Sequence, residues 1–333
     1  MTEPFYATVE QLQAATDIKS TSNETDRLRR LLDSASRKVE QRCHRHFYPL
    51  TAAYTFEPDG FIDTEFREWT FWLNKDLLSV DSITSDGTAV TDYTLQPARH
   101  GPPYNRILID SGSVFVITGD WGYSNDTTPA GALAEALDAS ETGVDVTDSS
   151  LVGIGDLLIC ESEKMVVTHK TLLDTTANLA ADLTAVVSDN EVTVNTGSLV
   201  KAGEVITIDA ERMKVLSISG NDLQVIRAFD GSTLAAHTGT PDVYAPRTLT
   251  VERGAAGSTA ATHSDTTVLT RNVAPAVVSE ATIAEALVAY AQETSAYARV
   301  IGSGDNQRES GGVGLEAARK ELTRYRRVRM ASI

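Results

Sequence analysis

Apolar positions change their period twice along this chain, and those changes divide it. Thr8 to Gln11 has the hydroxyl-then-amide spacing of a capping box, which opens a short helix carrying Val9 and Leu12. Asn23 can cap a longer helix, Asp26 suits its positive end, and Leu28, Leu31, Leu32, Ala35 and Val39 recur at helical spacing to about Cys43. Arg27, Arg29, Arg30, Arg37, Lys38, Arg42 and Arg45 fall on the remaining faces, as a solvated surface or a subunit interface. After Pro49 the pattern alternates. Ala53–Phe56, Trp69–Leu73, Val90–Leu95, Ile107–Ile109 and Val114–Ile117 read as short strands, with turns at Asp59-Gly60 and Asp86-Gly87 and a break at Gly101-Pro102-Pro103.

From about 130 to 272 the residues are mostly Thr, Ser, Ala, Val, Gly and Asp, and the chain repeats itself. Val144–Val152 matches Val192–Val200, Gly155-Asp156 matches Gly203-Glu204, and Glu163-Lys164-Met165 matches Glu211-Arg212-Met213. The closing halves match too: Arg227, Gly231-Ser232-Thr233, Ala235 and His237 against Arg253, Gly257-Ser258-Thr259, Ala261 and His263. Both closing halves follow the second opening half. That order fits one β module, about 184–247, inserted into its duplicate, and it also fits tandem modules with exchanged strands.

Past Pro275 the helical period returns. Ser279 is a candidate N-cap, Ile283, Leu287, Tyr290, Ala291, Thr294, Tyr297 and Ile301 form a stripe ending near Gly302, and a Gly-rich loop to Gly314 leads to a last helix with Leu315, Ala318, Leu322 and Tyr325. The expected fold is therefore α+β. Residues 1–129 and 273–333 would form one helical bundle domain with a small sheet at about 50–123, and 130–272 would be an inserted, duplicated all-β region.

Composition narrows the function. A net charge of −17, from 46 acidic and 29 basic residues, argues against a surface built mainly to grip nucleic acid. Cys43 and Cys160 lie too far apart to suggest a disulfide framework or a paired metal motif. No run approaches the roughly 20 apolar residues of a membrane span, and the start lacks a leader pattern, so no membrane association is expected and an aqueous, reducing compartment is. Cys43-His44-Arg45-His46 has no second Cys/His pair at finger-like spacing. His237 and His263 are explained by the duplication, with a turn or hydrogen-bonding role. The glycines of 302–314 lack the Gly-Lys-Ser/Thr ending of a phosphate loop. No catalytic residue, metal or cofactor is assigned, and no enzyme activity is expected.

Several segments resemble the head-tail adaptor (connector) family of tailed double-stranded DNA viruses. They are Tyr6–Leu12, Ala35–Glu40, Arg45-His46-Phe47-Tyr48-Pro49, Leu73–Val80, Pro103-Tyr104, Gly119-Asp120-Trp121-Gly122-Tyr123 and Leu322–Arg327. The resemblance covers both ends of the chain and leaves 130–272 outside. It implies a virion protein of the neck, made in the host cytoplasm. Such a subunit forms a ring, commonly of twelve, between the portal and the next neck or tail ring, around a channel through which DNA passes without specific binding. The β region would then decorate the outside, with the capsid as a candidate contact. Other expectations are a different neck or tail-completion ring, or a β-rich host-surface or glycan-binding protein. Six basic residues crowd the C-terminal segment, so Arg319, Lys320, Arg324, Tyr325, Arg326, Arg327 and Arg329 are the residues expected to bind portal, with DNA contact as the competing reading.

Overall fold

The computed structural model describes residues 3–16, 22–57, 62–63, 68–109, 114–294, 300–301, 308–309 and 313–327. They belong to two compact units. The first comprises Met1–Leu32, Thr128–Ala255 and Thr259–Arg271, and the second Asp33–Thr127, Ala256–Ser258 and Asn272–Ile333.

The N-terminal helices form much as their pattern predicts. Helix α1 (Val9–Thr16) opens with the capping box, Thr8 N–H donating to Gln11 Oε1 at 2.8 Å and Gln11 N–H to Thr8 Oγ1 at 3.2 Å. Helix α2 (Ser22–Cys43) buries Leu28, Leu31, Leu32, Ala35, Val39 and Cys43, and it ends where His44 turns left-handed at φ 56°.

Eight strands of the second unit make one antiparallel sheet: β1 (Leu50–Phe56), β2 (Ile62–Asp63), β3 (Glu68–Leu77), β4 (Ser82–Ser85), β5 (Thr88–Ala89), β6 (Tyr93–Gln96), β7 (Tyr104–Ile109) and β8 (Phe115–Trp121). Its path runs β5-β4-β8-β3-β7-β6, with β1 also on β8 and β2 on β3. Alternation explains it. Phe115, Ile117, Gly119 and Trp121 face inward along β8, and Phe56, Phe71, Leu73 and Ile107 complete an aromatic core. The turn expected at Asp86-Gly87 has both residues at positive φ, while Asp59-Gly60 lies outside the described residues.

The first unit holds most of a ten-stranded sheet: β9 (Thr127–Ala132), β10 (Gly143–Asp145), β11 (Leu157–Cys160), β12 (Glu163–Asn178), β13 (Glu191–Thr193), β14 (Val205–Ile208), β15 (Glu211–Ser219), β16 (Asp222–Ile226), β17 (Asp242–Glu252) and β18 (Val268–Asn272). The repeat is visible residue for residue. Val215 pairs with Val225 and a bulge separates that pair from Ser217–Gln224, just as Val167 pairs with Val251 and a bulge precedes His169–Thr250. Glu191 faces Gln224 as Gly143 faces Thr250, and Ile208 faces Val243 as Cys160 faces Leu269.

One difference separates the copies. The inner copy closes β15 to β16 with the tight turn Gly220-Asn221, whereas the outer copy continues from β12 through the whole inner copy before returning along β17. The inner module thus sits in the hairpin of the outer one, and the long β12–β17 ladder is the shared stem. Separate cores result, Leu133, Val146, Leu158 and Met165 in the outer module and Leu179, Val194, Ile206 and Met213 at the matched inner positions.

The C-terminal part adds α3 (Ala276–Thr294), the short pair β19 (Val300–Ile301) and β20 (Arg308–Glu309), and α4 (Val313–Glu321), followed by a 3₁₀ turn Leu322–Tyr325. Helix α3 begins at Ala276, ahead of the expected Ser279 cap. It buries Val278, Ala281, Thr282, Glu285 and Ala286, so the predicted stripe of Ile283, Leu287 and Tyr290 is half-buried instead. Apolar residues on both faces made the period ambiguous.

The expected helical bundle domain is overturned. The chain is mostly β, and its terminal helices do not gather into one bundle. The reason is local: α1 docks on the outer β module, where Phe5 N–H donates to Gly155 O at 2.9 Å and Val9 N–H to Ile154 O at 3.1 Å. A Cβ at Gly155 would lie 2.2 Å from the Phe5 ring, so this docking needs glycine there. Met1–Leu32 belongs to the same unit as Thr128–Ala255.

Candidate interaction surface and buried charge networks

Motif segments far apart in sequence meet in the second unit. Tyr123 packs on Phe47 and on Tyr325, with ring centroids 5.4 Å apart in both pairs, and Phe47 lies 6.0 Å from Tyr325. His46 Nε2 lies 2.9 Å from Trp121 O, and Tyr123 N–H donates to His46 O. Asp76, buried, is ion-paired with Arg45 at 3.3 Å and with Arg327 at 3.1 Å, while Gly122 N–H donates to its carbonyl. A Cβ at Gly122 would fall 2.2 Å from Tyr48 O, which explains a glycine between Trp121 and Tyr123. Residues 45–48, 73–78, 119–123 and 322–327 therefore build one cluster.

That cluster redistributes the C-terminal residues singled out in sequence. Arg319 is bound by Glu285, at 2.7 and 3.2 Å, and by Glu316 at 2.9 Å. Tyr325 belongs to the aromatic cluster, and Arg327 to the Asp76 pair, with its N–H on Cys43 O at 2.8 Å. Burial lowers Arg327 from the usual guanidinium range, against the pull of Asp76. Lys320, Arg324 and Arg326 are exposed, and Arg324 has only a loose pair with Glu321 at 3.9 Å. Arg329 lies outside the described residues.

The Cys43–His46 run is likewise spent on structure. Cys43 is buried with its thiol aimed at Leu322 O, and burial pushes that thiol up to about 11; Cys160 is pushed to about 11 in the same way. Among the described residues no three His, Cys, Asp or Glu side chains group as metal ligands.

The strongest electrostatics lie in the repeated modules. Glu211 is fully buried and receives Arg227 Nε (2.7 Å) and Nη2 (2.9 Å), the N–H groups of Ala228 and Ala235, and His237 Nε2 at 3.0 Å. Glu163 repeats this with Arg253 Nε (2.6 Å) and Nη2 (2.8 Å), the N–H groups of Gly254 and Ala261, and His263 Nε2 at 2.9 Å. Each arginine also donates to three carbonyls: Thr184, Asp189 and Ala235 in one copy, Asp138, Glu141 and Ala261 in the other. The second histidine nitrogen faces Asp209 at 2.7 Å or Glu161 at 2.9 Å. Burial alone would raise both glutamates. The arginine forks, the histidines and the backbone donors prevail and hold each carboxyl down to about 2.

These latches pair the second opening half with the first closing half, and the first with the second. All six latch residues stand at matched places of the repeat, but the sequence alone does not join them. The signal was that Glu, Arg and His persist together at matched places of the two copies.

A second clasp joins the modules. Glu204 receives Arg247 Nε at 2.8 Å and Nη2 at 2.7 Å together with Ser149 N–H and Oγ–H, both at 2.9 Å. Its repeat match Asp156 has only a 3.5 Å contact from Arg271 and a bond from Gly153 N–H, and burial pushes it up to about 6.

No protein-family model matches the chain, and neither a search of curated proteins nor one of solved structures gives a match. The two Glu–Arg–His latches are closed. Every glutamate oxygen at the latches is occupied by internal donors, which suits rigidity and leaves little for acid–base work.

Proposed function

We propose that the chain is a structural virion protein, a head-tail adaptor subunit that forms a ring beneath the portal, joins capsid to tail and leaves a channel for DNA. The observation that carries this reading is the convergence of four of the seven resembling segments: residues 45–48, 73–78, 119–123 and 322–327 pack together as one cluster. These four segments, remote in sequence and alike in their resemblance to one family, share a physical neighbourhood. Half-exposed Ile283, Leu287 and Tyr290 on α3 offer apolar surface for a subunit contact. Latched β modules suit a protein that bears load rather than turns over substrate. Portal, the next neck ring and other copies of itself are the proposed partners, with Lys320, Arg324 and Arg326 the exposed members of the portal-facing set.

Negative-stain images of the purified chain test this. Closed rings with a central opening support the reading, and dispersed single particles at every concentration would overturn it.

A glycan-binding role is the second reading, favoured by Trp72. This side chain is 50% exposed on β3 with Arg106 stacked 4.7 Å from its ring, a rigid aromatic platform of the kind sugars use. Trp72→Ala should abolish glycan-array binding if that reading holds.

A further inference from the structure

We propose that the turn Gly153–Asp156 is a proton-controlled clasp for the N-terminal segment Phe5–Glu10, which it holds more tightly when Asp156 is protonated. The duplication shows how the site is built. Each module has a docking port at a matched glycine: a Cβ on Gly203 of the inner module would meet Ser150 Cβ of the outer module at 3.1 Å, and a Cβ on Gly155 of the outer module would meet the Phe5 ring at 2.2 Å. The outer module thus fills the inner port, and the N-terminal segment fills the outer one. Phe5 and Val9 N–H groups donate to Gly155 O and Ile154 O, Ile154 N–H donates back to Glu10 Oε2 at 2.9 Å, and Gly153 packs on Thr8 with no room for a Cβ.

The two ports differ in charge. At the inner one, the carboxylate of Glu204 is bound by Arg247 and by Ser149 of its occupant. At the outer one, Asp156, a methylene shorter and 7% exposed, has the Gly153 N–H and a 3.5 Å contact from Arg271, and its occupant brings another acid, Glu10. The charged groups facing Asp156 are Arg271 from β18, Glu10 from α1 and Lys170 from β12. Desolvation of Glu10 is outweighed by Lys170, 2.9 Å away, and by backbone donors, so its carboxyl lies below the ordinary range and keeps its charge.

Burial, the largest influence, and Glu10 raise Asp156 to about 6, against the pull of Arg271, the Gly153 N–H and Lys170. Undocking admits water and takes Glu10 away, so Asp156 falls back towards the ordinary 3.8. The docked state therefore holds the proton more strongly. By linkage, the gain in docking is complete below 3.8 and is lost as pH rises through about 6. The latch glutamates, held near 2, stay ionised from about pH 5 upward and do not contribute. Nothing in the clasp depends on what the chain joins, so it and the adaptor role stand or fall separately.

Hydrogen exchange of the full chain at about pH 7.5 and about pH 5 tests this. Protection factors at the Phe5 and Val9 amides are the readout, and those at Val215 and Val225 in the inner module verify folding. In the unaltered protein, protection of Phe5 and Val9 should rise on acidification by up to about tenfold, the ratio that a move from 3.8 to about 6 permits at the lower pH. Asp156→Asn, neutral throughout, should show at the higher pH at least the protection that the unaltered protein reaches at the lower, with no pH response left. Arg271→Gln removes a cation that favours ionised Asp156 and should move the response to higher pH. Flat protection in the unaltered protein would overturn the clasp. So would a response that survives in Asp156→Asn, as it would if His169, beside Asp26 and Arg29, were the titrating group, or one whose position Arg271→Gln leaves unmoved.

Discussion

The inner and outer β modules have one fold and one latch, yet they are built into the chain differently. The inner module is continuous from Leu179 to Val243 and closes its hairpin with two residues; the outer has its hairpin opened to admit the other. Their surfaces differ as well. The latch loop is Asp138–Glu141 in the outer copy and Thr184–Asp189 in the inner, where two additional positions place Val186 and Val187 in solvent. What the duplication retained is the Glu–Arg–His latch and the core. Loops and outer faces were free to diverge, because little folding energy depends on them.

Breaking one latch at a time exposes that comparison most strongly. Glu211→Ala or Glu163→Ala strands a buried guanidinium, at a cost of about 3–5 kcal/mol. In hydrogen exchange, Glu211→Ala should loosen the inner core while Val146, Leu158 and Met165 stay protected, and Glu163→Ala should do the reverse. Equal loss of protection in both modules from either change would mean that they are not separate folding units.

Acid should open both copies together. Each glutamate is held near 2, below the ordinary 4.5, so its stabilisation is fully present above about pH 4.5 and is lost as pH falls towards 2. The loss is about 3 kcal/mol per latch, and urea midpoints measured across that range check it.

Excision sharpens the nesting. Replacing Leu172–Arg247 with Gly-Asn rebuilds in the outer module the turn that Gly220-Asn221 makes in the inner one, and Asn221 Oδ1 already accepts from Gly197 N–H as Glu204 does from Ser149 N–H. The shortened protein should keep the rest of the first unit folded at a loss within about 2 kcal/mol, read from its denaturant midpoint.

The smallest effect has opposite sign in the two modules. Asp156→Asn removes a poorly paired buried charge and should stabilise by about 1 kcal/mol at pH 8, with the gain fading as pH falls through 6 towards 4, where Asp156 is itself protonated. Glu204 is lowered instead, since Arg247 and Ser149 outweigh its burial, so Glu204→Gln should destabilise at the same pH. Thermal melts of both variants at two pH values decide the matter.

Much of this was legible in the sequence, and the failures have physical causes. The capping box, α2, the alternating strands of the sheet and the repeat boundaries followed from local chemistry. The order of the closing halves left two topologies open because sequence order does not say which Glu meets which Arg. The helical bundle failed because amphipathic helices do not name their partners: α1 found Gly155 of a β module, which no period in residues 1–16 could announce. Among the C-terminal cations, charge alone could not tell Arg319 and Arg327, bound to Glu285 and Asp76, from the exposed Arg324 and Arg326.

The central claim, that this chain is a ring-forming structural subunit, is tested most directly by its mass in solution from light scattering. The adaptor reading predicts one assembly of about twelve chains of 35.8 kDa each, unchanged on dilution. A constant single-chain mass across concentration would contradict it.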